Sequence, residues 1–286
     1  VAIQLAKVVP TMFPGIYDAL LRDLNPSISE EHWRRLFEWP WENPEDHVGY
    51  ALLEDDGSVV GYAGTIYSHQ EIRGRMEAFC NVTTWVVKEP YRSGAVSLIM
   101  PTLLRRDLTI TNLTPIPGVS EIFSRLGFKV LESHRRVIFP RPWWFFRRQR
   151  EFKVSVGTSE VEPSLSLAQR QVMRDHAPLC EHLVVNTVDG EECYLIFKRV
   201  RTLKLPAARI YHISNPTVFL RALPTLQTEF MKMGHPVLVC DARLVDNKPI
   251  PWSRRISIPH SRLFRSATLG PADIPNIYSE LVLLGI

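Results

Sequence analysis

Residues 75–113 read as a strand, a helix and a second strand, and no hairpin can join two strands that way. Residues 75–87 are rich in Val, Thr, Phe and Trp, the composition of a half-buried pleated segment. Residues 94–105 carry Leu98, Ile99, Leu103 and Leu104 at helical spacing, and residues 108–113 form the second strand. Strands joined through a helix lie parallel, linked by a right-handed crossover. The segment before them behaves differently. Two apolar runs, 48–53 and 59–67, flank Asp55-Asp56-Gly57-Ser58, and Asp-Gly between such runs signals a tight antiparallel hairpin. A sheet holding both units is mixed and mostly antiparallel, twisted, with helices on both faces, an α/β (α+β) architecture.

The order of elements then recurs. Residues 3–5 alternate as a short strand, 10–22 read as a helix, and Ser27-Ile28-Ser29-Glu30-Glu31 caps a second helix through Leu36. Residues 119–126 form a helix ended by Gly127, and 128–139 a closing strand. Further on, 165–179 read as a helix, 182–188 and 192–200 as strands around Asp189-Gly190, 207–213 as a strand, 216–233 as a helix and 236–240 as a strand. Hairpin, strand, helix, strand thus appears twice. A chain of 286 residues suits two ordinary domains, and we expect them at 1–140 and 151–286. The joining residues, 141–150, are proline-bearing, aromatic and basic. Trp143 to Arg150 suits a strap packed between the halves, a membrane-surface contact, or a partner or acyl-chain surface.

Composition narrows the function classes. A formal net charge of +4 is too small to argue for nucleic acid. No apolar run is long enough to span a bilayer, and residues 1–5 lack the charged region of a signal peptide, so a cytoplasmic location is expected. Cys80, Cys180, Cys193 and Cys240 form no Cys-x-x-Cys pair and read as small core residues in a reducing compartment. His69, His134 and His260 lack metal-ligand spacing, so no metal is expected.

The strand at 81–87 runs into Lys88-Glu89-Pro90-Tyr91-Arg92-Ser93-Gly94-Ala95-Val96-Ser97. Small residues where a strand turns into a helix let backbone amides approach a phosphate. Later comes Ile122-Phe123-Ser124-Arg125-Leu126-Gly127-Phe128. Together, in this order, these segments resemble the GNAT superfamily of acyl-CoA N-acyltransferases over about residues 1–140. The first is similar to its Arg/Gln-x-x-Gly-x-Gly/Ala pyrophosphate loop, the second to its Leu-Tyr-x-x-x-Gly-Phe closing helix. A second, degenerate copy is expected behind it, where Ile213-Ser214-Asn215-Pro216-Thr217 has neither loop glycines nor a leading Arg.

The resemblance implies acetyl-CoA or another acyl-CoA as co-substrate, and transfer to an amine of a small molecule or sugar. The runner-up is a non-catalytic module that binds acyl-CoA or a protein partner. It implies that Trp85 and Val87 pair through their backbone with pantetheine, and that Arg92, Ser93, Gly94, Ala95, Val96 and Ser97 hold the diphosphate. The departures are chemical. Phe123 stands where many members carry a tyrosine acid and cannot donate a proton. Asn81 stands where members often carry a strand glutamate, and an amide orients without titrating. Glu77, four residues before Asn81, shares its strand face and is the nearest carboxylate to act as base. Thr83 and Asn112 fall where relatives hold substrate. Asn112 equally suits a cap on the turn at Pro115 and Pro117.

Overall fold

The computed structural model describes residues 3–116, 118–141 and 151–286. Pro117 and the segment Trp143 to Arg150, on which the turn and strap readings rest, lie outside them. The strands are β1 (Gln4–Lys7), β2 (Gly49–Leu53), β3 (Val59–Ile72), β4 (Arg75–Val87), β5 (Leu108–Asn112), β6 (Lys129–Ile138), β7 (Phe152–Val156), β8 (Glu181–Thr187), β9 (Glu192–Thr202), β10 (Leu205–Ile213), β11 (Val237–Asp241) and β12 (Ser253–Arg265). They form one sheet in the order β1-β2-β3-β4-β5-β12-β6-β11-β10-β9-β8-β7. Among the described residues only β4–β5 and β10–β11 pair in parallel, as the two crossovers require. The mixed, mostly antiparallel sheet read from the sequence is what the chain forms.

Reading inward from either edge, the strands follow the same sequence of connections. The two sets meet through their last members: β12 pairs with β5, and β6 with β11, while β6 and β12 pair with each other. No pairing is thereby lost at either β5 or β11, the strands a crossover would otherwise leave at an edge. β12 has no counterpart in the expectations from sequence. Its segment carries four arginines and Pro259, which argue against a central strand. The structure accommodates Pro259 inside a break of register between Ser257 and Arg262.

Alternation along the strands sorts the core into faces. Cys80 and Val82 point to a cluster with Leu98, Leu103, Ile110 and Phe123. Phe79 points the other way, into a layer that also takes Trp33, Leu36, Tyr194, Tyr211 and Leu281. That second layer draws on both ends of the chain. The Pro216–Lys232 helix covers a third cluster over β8–β11 through Phe219, Leu223, Leu226 and Phe230.

The expected helix at 94–105 differs. Glu89–Leu98 is wound as a 3-10 helix, and a short α-helix, Met100–Leu104, follows. Pro101 explains the break: it has no N–H and its ring clashes with the carbonyl four residues back, so one α-helix cannot pass through it. The first helix, expected at 10–22, is likewise broken into 3-10, α and π segments ending at Leu24.

Candidate functional site

β4 and β5 pair only from Ala78↔Leu108 to Asn81↔Thr111, then part. At that point β4 also slips against β3: Ala63 faces Trp85 and Thr65 faces Val82, leaving Thr83 and Thr84 opposite Gly64. This bulge bends the strand and re-aims its side chains. Before it Cys80 and Val82 face the crossover cluster; after it Trp85 and Val87 do, and Val86 turns to the other layer. The close approach needs glycine. A Cβ at Gly64 would lie 2.4 Å from Thr83 Oγ1 and 2.7 Å from Tyr62 Oη. Gly64→Ala is therefore expected to cost about 1–3 kcal/mol, the usual range for overpacking. Gly15, in a helix with nothing within 4 Å, should gain roughly 0.5–1 kcal/mol on the same change. Urea unfolding of both variants checks this, and equal effects would dismiss the tight contact.

Between the parted strands lies a cavity of about 250 Å³. Leu24, Ile28, Trp33, Leu36, Ile116 and Leu284 make its apolar wall, and Thr83, Thr84, Asn112, Thr114 and Glu280 bring polar groups. Three of those side chains present buried oxygens without a partner: Thr83 Oγ1, Asn112 Oδ1 and Glu280 Oε2. Buried acceptors are nearly always satisfied in folded proteins, so three orphaned acceptors on one cavity, beside the unpartnered Trp33 Nε1 donor, mark a place for a ligand that chiefly donates hydrogen bonds.

Glu280 has no counterpart among the residues the sequence pointed to. It opens the short helix Glu280–Leu284 and is only 1% exposed. Its backbone N–H donates to Asn81 Oδ1 (3.2 Å), and Thr114 Oγ1 donates to its Oε1 (3.0 Å). Burial raises its carboxyl pKa to about 7, against the smaller lowering effect of those hydrogen bonds and of Arg262. A carboxyl poised there exchanges protons at neutral pH. The segment before it is pinned: the Tyr278 N–H donates to His176 Nε2 (3.3 Å), and Tyr278 Oη donates to Asp175 (2.7 Å).

The residues expected at the site divide into those it gathers and those it does not. Thr83, Trp85 and Asn112 line the cavity. Asn112 Oδ1 has no hydrogen-bond partner among the described residues. Asn81 lies one step below, its Nδ2 donating to Thr111 Oγ1 (3.1 Å) and its Oδ1 holding Glu280. Glu77 stands apart. It pairs opposite Gln70, near the β3–β4 turn, six residues and roughly 20 Å of strand from Thr83. The strand face was right but the position along it was not, and nothing places Glu77's carboxylate at the splay.

The loop is also arranged otherwise than expected. Gly94, Ala95, Val96 and Ser97 fall inside the 3-10 helix, not at its start, where i→i+3 bonding draws amides away from any ligand. Arg92 and Ser93 are exposed, and Arg92 lies 3.8 Å from Glu89. Trp85 Nε1 donates to Ala95 O (3.0 Å), so one indole joins cavity to loop. Val87 lies past the cavity, half-buried against the crossover cluster.

Two other chemistries find no support at this site. Cys80 is fully buried on the opposite face and its thiol is pushed up by burial, so it is not a nucleophile. Phe123 is fully buried against Trp85 and Phe128. Elsewhere, Glu45, Asp46 and His47 lie close together, but Arg105 and Lys7 already neutralise the two carboxylates. Among the described residues no helix is long and apolar enough to cross a membrane.

No protein-family model matches the chain, and no curated protein matches it in sequence. Solved structures do resemble it. A protein from Enterococcus faecalis V583, described as a probable N-acyltransferase, aligns with 95% of this chain and 74% of its own at 11% identity and a TM-score of 0.59. A GCN5-related N-acetyltransferase from Kribbella flavida aligns over 93% and 71% at 16% identity, with a TM-score of 0.58. Another, from Anabaena variabilis, aligns over 92% and 72% at 12% identity, with a TM-score of 0.56. At these identities the likeness is one of fold: the chain has the fold of the GCN5-related N-acetyltransferases.

Proposed function

We propose that this protein is an acyl-CoA-dependent transferase that moves an acyl group onto an amine of a small molecule or sugar. The observation that carries the reading is the set of orphaned acceptors of Thr83, Asn112 and Glu280 on one cavity at the parted strands. An ammonium or amine supplies the missing donors. Glu280 takes the proton from the bound ammonium, because only the free amine attacks. The nitrogen bonds to the thioester carbonyl carbon, the C–S bond breaks, and the thiolate leaves to be protonated. A carboxyl with a pKa near 7 matches general-base work at neutral pH. Asn81 and Thr114 are positioning residues that hold Glu280. The apolar wall suits the acyl chain, and a main-chain amide freed by the bulge suits the developing oxyanion. In this reading 1–140 and 151–286 are two related units, the second a scaffold whose trailing segment completes the first.

A non-catalytic module that binds acyl-CoA or a protein partner is the second reading, favoured by Phe123 in place of an acid. Thiol release from acetyl-CoA and longer acyl-CoAs over a panel of amines separates the two. Turnover with at least one amine is expected. Acyl-CoA binding without thiol release would assign the binding role, and neither binding nor release would end both readings.

A further inference from the structure

The second parallel pair parts as the first does. β10 and β11 pair up to Ile210↔Cys240, and β10 slips against β9 between Ile210 and His212. At this second splay lies a small cavity lined by Arg135, Arg209, Tyr211, Asp241, Arg262 and Asn276. Three guanidinium groups face one carboxylate, an excess of two positive charges around a cavity where Arg135 and Arg209 are half-buried and the other two groups fully buried. Arg262 and Asp241 are 3% and 4% exposed. Uncompensated charge of this kind is expensive to bury.

The neighbouring acceptors do not relieve it. Asp241 already receives Asn276 Nδ2 (2.7 Å) and lies 2.9 Å from Arg262 Nη1, which is nonetheless off-line for a hydrogen bond. Glu132 is occupied by the backbone N–H groups of Ser133, His134 and Arg243. Meanwhile Tyr211 Oη, on a side chain only 2% exposed, has no partner, nor has Arg209 Nε. The Tyr211 hydroxyl and Arg209 Nε, beside a surplus of guanidinium charge, suit an acceptor that carries negative charge. The mutual repulsion is visible in Arg135, whose pKa is held down to about 10 by burial and by Arg209 and Arg262.

We propose that this cavity is an anion site holding one halide ion between Arg135, Arg209, Arg262 and the Tyr211 hydroxyl. Size sets the class. The free volume is about 10 Å³, room for one water-sized particle, which excludes phosphate and any polyphosphate. The site also bears on the first splay. Asn276 reaches Asp241, Arg243 Nη1 donates to Ile274 O (2.6 Å), and Glu280 lies four residues further on against Asn81. An anion here fixes one end of the segment that carries Glu280. The site itself stands whether or not the protein transfers acyl groups.

Thermal unfolding of the full chain tests it, at fixed ionic strength set with a bulky organic anion while bromide, or separately acetate, replaces it. A saturable rise in Tm is expected with bromide and none with acetate, which the cavity is too small to admit. Tyr211→Phe keeps the ring and removes one donor. It should unfold no earlier than the parent without added anion, since an unpartnered hydroxyl is gone, and should weaken the apparent anion affinity about fivefold, the value of one hydrogen bond. Arg209→Met should weaken it further. In crystals grown with bromide, an anomalous peak within the cavity is expected under the halide assignment. If bromide gives no saturable rise, or if both variants respond as the parent does, the proposal is overturned.

Discussion

Replacing Glu280 with glutamine is expected to lower turnover about 100- to 10,000-fold, the usual share of a general base, with acyl-CoA affinity unchanged. The amide keeps the shape of the carboxyl and can still accept from Thr114, so the fold should survive, and an unaltered Tm would establish that. What the variant loses is the ability to take a proton from an ammonium ion. The parent's rate should fall away on the acid side of an apparent pKa near 7, where Glu280 becomes protonated, and this limb should vanish in the variant. Glu77→Gln is the contrast: far from the splay, it should leave turnover within about twofold of the parent. Asn81→Ala should fall between, since it loosens the backbone of residue 280 without touching the proton. A Glu280→Gln enzyme that keeps most of its rate and its acid limb would remove this residue as the base.

Stability is expected to fall steeply as pH drops from about 6.5 to about 4. His176 and His182 are 0% and 1% exposed, and burial lowers their pKa values to about 3 and about 4. Burial lowers His212 to about 4 as well. Each is neutral in the native protein and takes up a proton on unfolding once the pH is below about 6.5. Their contribution is therefore intact above that pH and is lost as pH falls toward the folded values. Glu280 works in the opposite sense, since its raised pKa lets the native state bind a proton that the unfolded chain does not bind until about pH 4.5. Net uptake of one to two protons gives a slope of about 1.4–2.7 kcal/mol per pH unit. Urea midpoints across this range check it, and a flat profile between pH 7.5 and 5 would refute it. His176 makes the effect local as well. Its Nδ1 lies 2.8 Å from Val172 O and its Nε2 accepts from the Tyr278 N–H, so the proton sits on Nδ1. Protonating Nε2 removes the acceptor and releases the segment leading to Glu280.

How much of this was legible in the sequence depended on how local the cause was. Composition and turn chemistry placed the hairpins, and helix periodicity placed the Pro216–Lys232 helix, because these signals lie within a few residues. Strand alternation put Glu77 and Asn81 on one face, but not at one depth. The position of the splay depends on the bulge at Thr83 and Thr84, which requires the neighbouring strand and its Gly64. Pro101 was in plain view as a helix breaker, and the 3-10 winding before it follows from weighing it. Glu280 was hidden by distance, since its contact with Asn81 spans 199 residues. One signal was available: a carboxylate entering the apolar run Leu281-Val282-Leu283-Leu284 is rarely buried without a purpose. β12 was hidden for a different reason. Its first half is largely exposed and the buried residues, Arg262, Leu263 and Phe264, are consecutive, so it shows no alternation to read.

The way β12 completes the sheet beside β5 has a consequence for the order of events in a cell. A ribosome adds about 5–20 residues per second, so residue 280 emerges roughly 10–40 seconds after Asn81. Until residues 253–265 emerge β5 has no neighbour on its outer side, and until residue 280 emerges the cavity lacks its carboxyl. The newborn chain carries a bare strand edge, the kind of surface that chaperones cover. The cover for that edge and the cavity's carboxyl then arrive close together, with the same stretch of chain.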